Sequence, residues 1–162
     1  VTRLSPQLYR TALDLVAARQ QDEYAVFEVV LEELSGAPDG LGVLGVLAVT
    51  NLSVRQASAV GRCPASRVLD GLRVQPVPAA QPVVPTVLTL LYTATEDLGE
   101  ASRLAHDLGS DDRAEPCMVV LADVSIAMAE RLTAFCGVPQ PQIIASWRQQ
   151  AEAMIADDSW AA

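Results

Sequence analysis

Hydrophobic positions along this chain recur at three- and four-residue steps, the period of an amphipathic helix. In the C-terminal half, Val87, Leu90, Leu91, Ala94, Leu98, Ala101, Ala105 and Leu108 fall on one stripe, with Glu96, Glu100, Arg103 and Asp107 on the other side. Moving back by 74 residues places Leu13, Val16, Ala17, Tyr24, Phe27, Leu31 and Leu34 on the same stripe, with Gln20 as its one polar member. The match continues with a shift of 75: Val46, Val49, Ala57 and Val60 fall opposite Leu121, Val124, Leu132 and Phe135. Pro64, Val68, Leu69, Leu72 and Arg73 then fall opposite Pro139, Ile143, Ile144, Trp147 and Arg148. A proline, an apolar pair and an arginine kept in register indicate an internal repeat.

This register predicts two copies of a three-helix unit. Each has a long first helix, a second from about Leu41 or Glu115, and a shorter third after Pro64 or Pro141. Between them, Val74 to Thr86 carries four prolines, which disfavours helix and central strand and predicts an extended connector. The expected fold is all-α: about six helices as two tandem three-helix units, residues 1–75 and 87–162, joined by a Pro-rich connector at 76–86 and packed into one compact helical bundle. Asp39 is the expected start signal of one second helix, and Ser110, Asp111 and Asp112 of the other, because acidic and hydroxyl side chains suit the positive helix end. Gly36, Gly61, Gly109 and Gly137 mark helix ends, and Pro141 suits a first helical turn. Val43 to Thr50 and Val83 to Leu91 are rich enough in β-branched residues to pass for buried strands. The run from Cys117 to Phe135, however, has no turn residue and is longer than an ordinary strand.

Composition agrees with helices. The chain has 162 residues, 51% of them hydrophobic and only 4% aromatic, so its apolar mass is Ala, Leu and Val. That length allows burial of about 68–70% of the unfolded surface. The net charge of −9 argues against general attraction to nucleic acid or to an anionic membrane. Every basic residue is Arg, so neither a Schiff-base lysine nor a P-loop lysine exists. Cys63, Cys117 and Cys136 are odd in number and lack short paired spacing, which fits a reducing cytoplasm better than a disulfide framework. The N-terminal residues lack the apolar core of a signal peptide, and the apolar runs Leu41 to Val49 and Val83 to Tyr92 are too short to span a bilayer. No membrane association is expected.

Several motifs carry candidate chemistry. Gly40 to Gly45 matches G-x-G-x-x-G, but the stretch before it is helical and the next acid is Asp70. A glycine-rich helix start, with Gly42 and Gly45 allowing close contact, is therefore expected in place of a dinucleotide loop. Leu52 to Arg73 has the shape of a helix-turn-helix, with Arg55, Arg62, Ser66, Arg67 and Arg73 as the DNA-binding candidates. Against it stand the net charge, a turn one residue too long, and a matching segment at 129–148 that lacks the charge. His106 is the only histidine and lies beside a polar helical face, with no nucleophile signature to serve it. Cys117 and Cys136 match no zinc spacing and are expected as buried thiols. The pairs Glu32-Glu33, Glu96-Asp97, Asp111-Asp112 and Asp157-Asp158 are scattered, which favours solvated or capping charge over a cation site.

No catalytic, cofactor-binding or metal-binding residue is assigned, and no cofactor is expected. The function expected is a protein-protein interaction or adaptor module whose partner is another protein or a second copy, making a homo-oligomer. Tyr24, Phe27, Trp147 and Trp160 are the candidate contact residues. The alternative is a DNA-binding regulator using residues 52–73, and an enzyme using His106 ranks third.

Overall fold

The computed structural model describes residues 4–156, and among these all regular structure is helical. Ser5 starts the first helix, α1 (Pro6–Gln20): its hydroxyl accepts from the Leu8 N–H, and Pro6 occupies a position where no helical donor is lost. The chain then turns through Asp22, in the left-handed region at φ 57°, and resumes as α2 (Tyr24–Ser35). The expected single long helix is therefore two. Its counterpart divides in the same way. α5 (Val84–Glu96) and α6 (Leu98–Leu108) are separated by extended Asp97, whose carboxylate accepts from the Glu100 N–H and caps α6. The apolar stripe crosses both breaks because each pair of helices buries the same side of the chain.

The remaining helices are α3 (Leu41–Gly61), α4 (Ala65–Asp70), α7 (Ala114–Cys136) and α8 (Gln140–Ala156), giving eight where six were expected. The most extensive pairing is α3 with α7, and both are buried on nearly every side over their middle turns. An all-round apolar helix can satisfy itself only in a core, and full burial of each Leu or Val contributes roughly 1.5–3 kcal/mol. By length and composition Pro38–Gly61 resembles a membrane span, but 72% of that apolar window lies inside the helical body. The outer helices interlock: α8 lies on α1, and α4 lies against α5. The first and second halves consequently do not form separate bundles.

Two local expectations need correction. The connector is not extended throughout. Pro78–Val83 forms a 3₁₀ turn that buries Ala80 and Val83, since proline's fixed φ and missing donor suit the start of a short turn. Asp39 does not cap α3 through its side chain. It sits at φ 56° within a 3₁₀ turn, Pro38–Gly40, and left-handed Gly40 is the residue before the helix. Gly40 is needed there for a second reason. A Cβ on it would lie 2.4 Å from the Ala105 carbonyl oxygen, and one on Gly109 would lie 2.2 Å from the Gly40 Cα. Gly42 similarly meets the Leu34 backbone. The glycine run thus serves helix contact with α2 and α6.

Candidate interaction surface

α2 presents two apolar faces. Phe27, Leu31 and Leu34 point into the core. On the outward side Val26 and Val29 are 47% and 65% exposed, with half-buried Val30 between this ridge and the core stripe. Their i, i+3, i+4 spacing makes one continuous ridge. Exposed Glu33 continues the line of Val26 and Val29 one turn on, Glu32 and Glu23 lie to its sides, and Glu28 lies around the helix in line with Tyr24, so the face is apolar at its start and acidic beyond. Tyr24, at the start of α2, is 63% exposed and lies away from the valines around the helix. Its hydroxyl reaches the Asp22 carboxylate at 3.5 Å.

The other aromatic candidates have different positions. Phe27 is buried, and the Arg19 guanidinium lies 5.4 Å from its ring centre. Trp147 is fully buried and donates its indole N–H to the Gln56 side-chain oxygen. Burial removes both from the accessible surface. Trp160 lies outside the described residues. Val26 and Val29 were missed in the sequence. The available signal was their place off the core stripe, on a helix already supplied with Phe27, Leu31 and Leu34.

Tyr24 also borders a cleft of about 540 Å³ that includes Arg19, Asp22, Asp123, Ile126 and Glu130. Its base is an ion pair between α1 and α7, with Arg19 Nε 2.9 Å from Asp123 Oδ1. Burial raises the Asp123 carboxyl pKa, and the hydrogen bond and charge of Arg19 partly offset that rise. Arg19 is thus engaged by Asp123 and by the Phe27 ring.

The DNA-binding candidates form a different surface. Arg55, Arg62, Ser66, Arg67 and Arg73 are all exposed. Arg55 lies one turn before exposed Ala59 on α3, Arg62 immediately follows the helix, and 39%-exposed Val60 points about a quarter-turn around from Ala59. The chain leaves α3 through Arg62, at φ 50°, and the Ser58 hydroxyl donates to the Cys63 carbonyl across the turn. Arg67 follows on α4, and Arg131 of α7 extends toward the end of α4, its Nη1 3.7 Å from where a Gly71 Cβ would stand. Among the described residues none of these arginines is in an ion pair, whereas Arg10, Arg19, Arg103, Arg113 and Arg148 each are. A long helix, a turn and a six-residue helix therefore follow one another here, with these arginines outside any ion pair among the described residues.

His106 is exposed and its Nδ1 lies 2.9 Å from the Asp39 carbonyl oxygen, joining α6 to the turn before α3. Cys117 is buried, but Cys136 is exposed, contrary to expectation, because it is the last residue of α7 and follows 61%-exposed Phe135. Among the described residues no group of three or more His, Cys, Asp or Glu side chains is placed to hold a metal ion. Comparisons with family models, curated proteins and solved structures found no match to this chain.

Proposed function

We propose that this protein is a protein-protein interaction module that associates with further copies of itself, and that the outward face of α2 is its contact surface. The observation that carries this reading is the Val26–Val29 ridge, an apolar helix face left in solvent while the opposite face of the same helix is buried. Exposed contiguous apolar surface with a polar rim is what docking surfaces present before they are covered. The proposed architecture behind it is a duplicated three-helix unit whose copies exchange outer helices. Its support is Thr50 meeting Ser125, 75 residues away, and the reciprocal seating of α8 on α1 and α4 on α5. A cytoplasmic setting suits the three free thiols.

The test is sedimentation equilibrium over a wide range of protein concentration, for the wild type and for Val26→Ser/Val29→Ser. Both substitutions are on the surface, so helicity by circular dichroism should be unchanged. The wild type should gain mass with concentration and the variant should remain monomeric. A wild type that stays monomeric at millimolar concentration overturns the proposal.

A second reading, DNA binding, draws on the free arginines of α3 and α4. Duplex binding that falls steeply with salt and is lost in Arg67→Ala would support it. Indifference to both would remove it.

A further inference from the structure

The reading above leaves open which surface of the second copy receives the α2 ridge. A second α2 ridge would set a face that carries carboxylates, Glu32 and Glu33, and no cation against its like. Like charges placed across an interface disfavour that pairing. The same molecule carries a surface of opposite character. Arg55 of α3 and Arg62, the residue that follows α3, are in line with exposed Ala59, and Arg67 follows on α4. These cations have no carboxylate partner among the described residues, in a protein whose net charge is −9. The α2 face carries only carboxylates beside its valines, and the other surface is predominantly basic, with Asp70 as the acid on α4, so the two are of opposite sign.

We infer that the occupant of the α2 ridge is the arginine face of a second copy of this chain. Val26 and Val29 of one protomer cover Ala59 of the next, and Glu32 and Glu33 meet Arg55, Arg62 and Arg67. This inference rests on the self-association proposed above and specifies its geometry. The contact joins two different surfaces head-to-tail, and where one copy cannot present both of them to the same neighbour it extends into a ring or a chain. It also gives the free arginines a role that does not require an acidic protein to approach DNA.

Two exposed variants test it by sedimentation velocity: Glu32→Arg/Glu33→Arg and Arg55→Glu/Arg62→Glu/Arg67→Glu. Each alone should associate at least about tenfold more weakly than the wild type, since like now faces like. Mixed in equal amounts they should assemble again, because the basic α2 of one then meets the acidic α3–α4 face of the other. Wild-type association should weaken as salt rises. If the wild type associates and requires Val26 and Val29 but the arginine variant assembles normally, the docking surface stands and the head-to-tail inference falls. Assembly that ends at a dimer with loss in only the α2 variant, or a mixture that fails to assemble, also overturns it. A monomeric wild type whose arginine face binds a duplex DNA probe removes both proposals.

Discussion

Thr50 Oγ1 and Ser125 Oγ lie 2.9 Å apart where α3 meets α7, and each hydroxyl also lies within hydrogen-bond distance of the Leu121 carbonyl oxygen. Both residues are fully buried. Their pairing joins the two central helices by polar contact inside a core made mostly of Leu, Val and Ala.

Removing one hydroxyl leaves the other a carbonyl acceptor, so each single loss should be modest. Thr50→Val and Ser125→Ala should each destabilise by about 1 kcal/mol. The double variant should cost less than the two together, by roughly 0.5–1 kcal/mol, because the second substitution removes a group whose partner is already gone. Urea denaturation of the four proteins measures this coupling. Strict additivity would mean that the hydroxyls are neighbours without a shared bond.

The pair was visible in outline before it was seen in space. The 75-residue register aligned Val46 with Leu121 and Val49 with Val124, which places Thr50 opposite Ser125. The helical class, the positions where α3 and α7 begin and the glycine ends could be read because periodicity and breaker residues are local properties of the chain, although neither helix is capped by the side chains expected. The breaks at Asp22 and Asp97 were not, because an apolar stripe records which side is buried and not whether the backbone is continuous. Asp97 did carry a signal, an acid at an N-cap, but Glu96 beside it made the pair look like ordinary surface charge. The candidate surface was harder to read. Trp147 and Phe27 were chosen by residue type, and type does not say which aromatic the core absorbs. Val26 and Val29 have the same chemistry as the core valines and differ only in direction.

Gly109 should tolerate no side chain. A Cβ there meets the Gly40 backbone at 2.2 Å, and neither segment can move away without separating α6 from the turn that starts α3. Gly109→Ala should therefore cost about 3 kcal/mol or more. Gly137 is the control: it is left-handed at φ 71° but has open space around its Cβ position, so Gly137→Ala should cost only about 1–2 kcal/mol from backbone strain. Thermal denaturation of the two variants should separate them clearly. Equal losses would contradict the close approach of the two glycines.

The Arg19–Asp123 pair gives a pH prediction. Burial raises the Asp123 pKa in the folded state above its unfolded value of about 4. A raised carboxyl binds its proton more tightly when folded, so its contribution to stability is lost as pH rises through the carboxylate range. Asp123→Asn resembles the protonated form and lacks this dependence. The variant should therefore gain stability relative to the wild type as pH rises from about 3 to 7. Denaturant midpoints across that interval test the sign. A relative loss for the variant would show that ionised Asp123 is held more strongly by Arg19 than it is penalised by burial.

The thiols should report the packing of α7 from both ends. Cys117 is buried in the first turn of that helix, and burial pushes its pKa up to about 11, with the Arg113 charge opposing the shift. Thiolate is the reactive form, so at pH 8 only on the order of one Cys117 in a thousand would be ionised even if a reagent reached it. Cys136 is exposed at the other end, and no core contact protects it. A maleimide at pH 8 should therefore label Cys136 rapidly, while Cys117 is labelled only as the protein opens. Peptide mapping over time would resolve the two sites. Cys117 labelling should accelerate in Gly109→Ala to the extent that the variant raises the open population, since slow labelling through rapid opening follows that equilibrium. Early labelling of Cys117 in the wild type would mean that the start of α7 is not held in the core, and would overturn its burial.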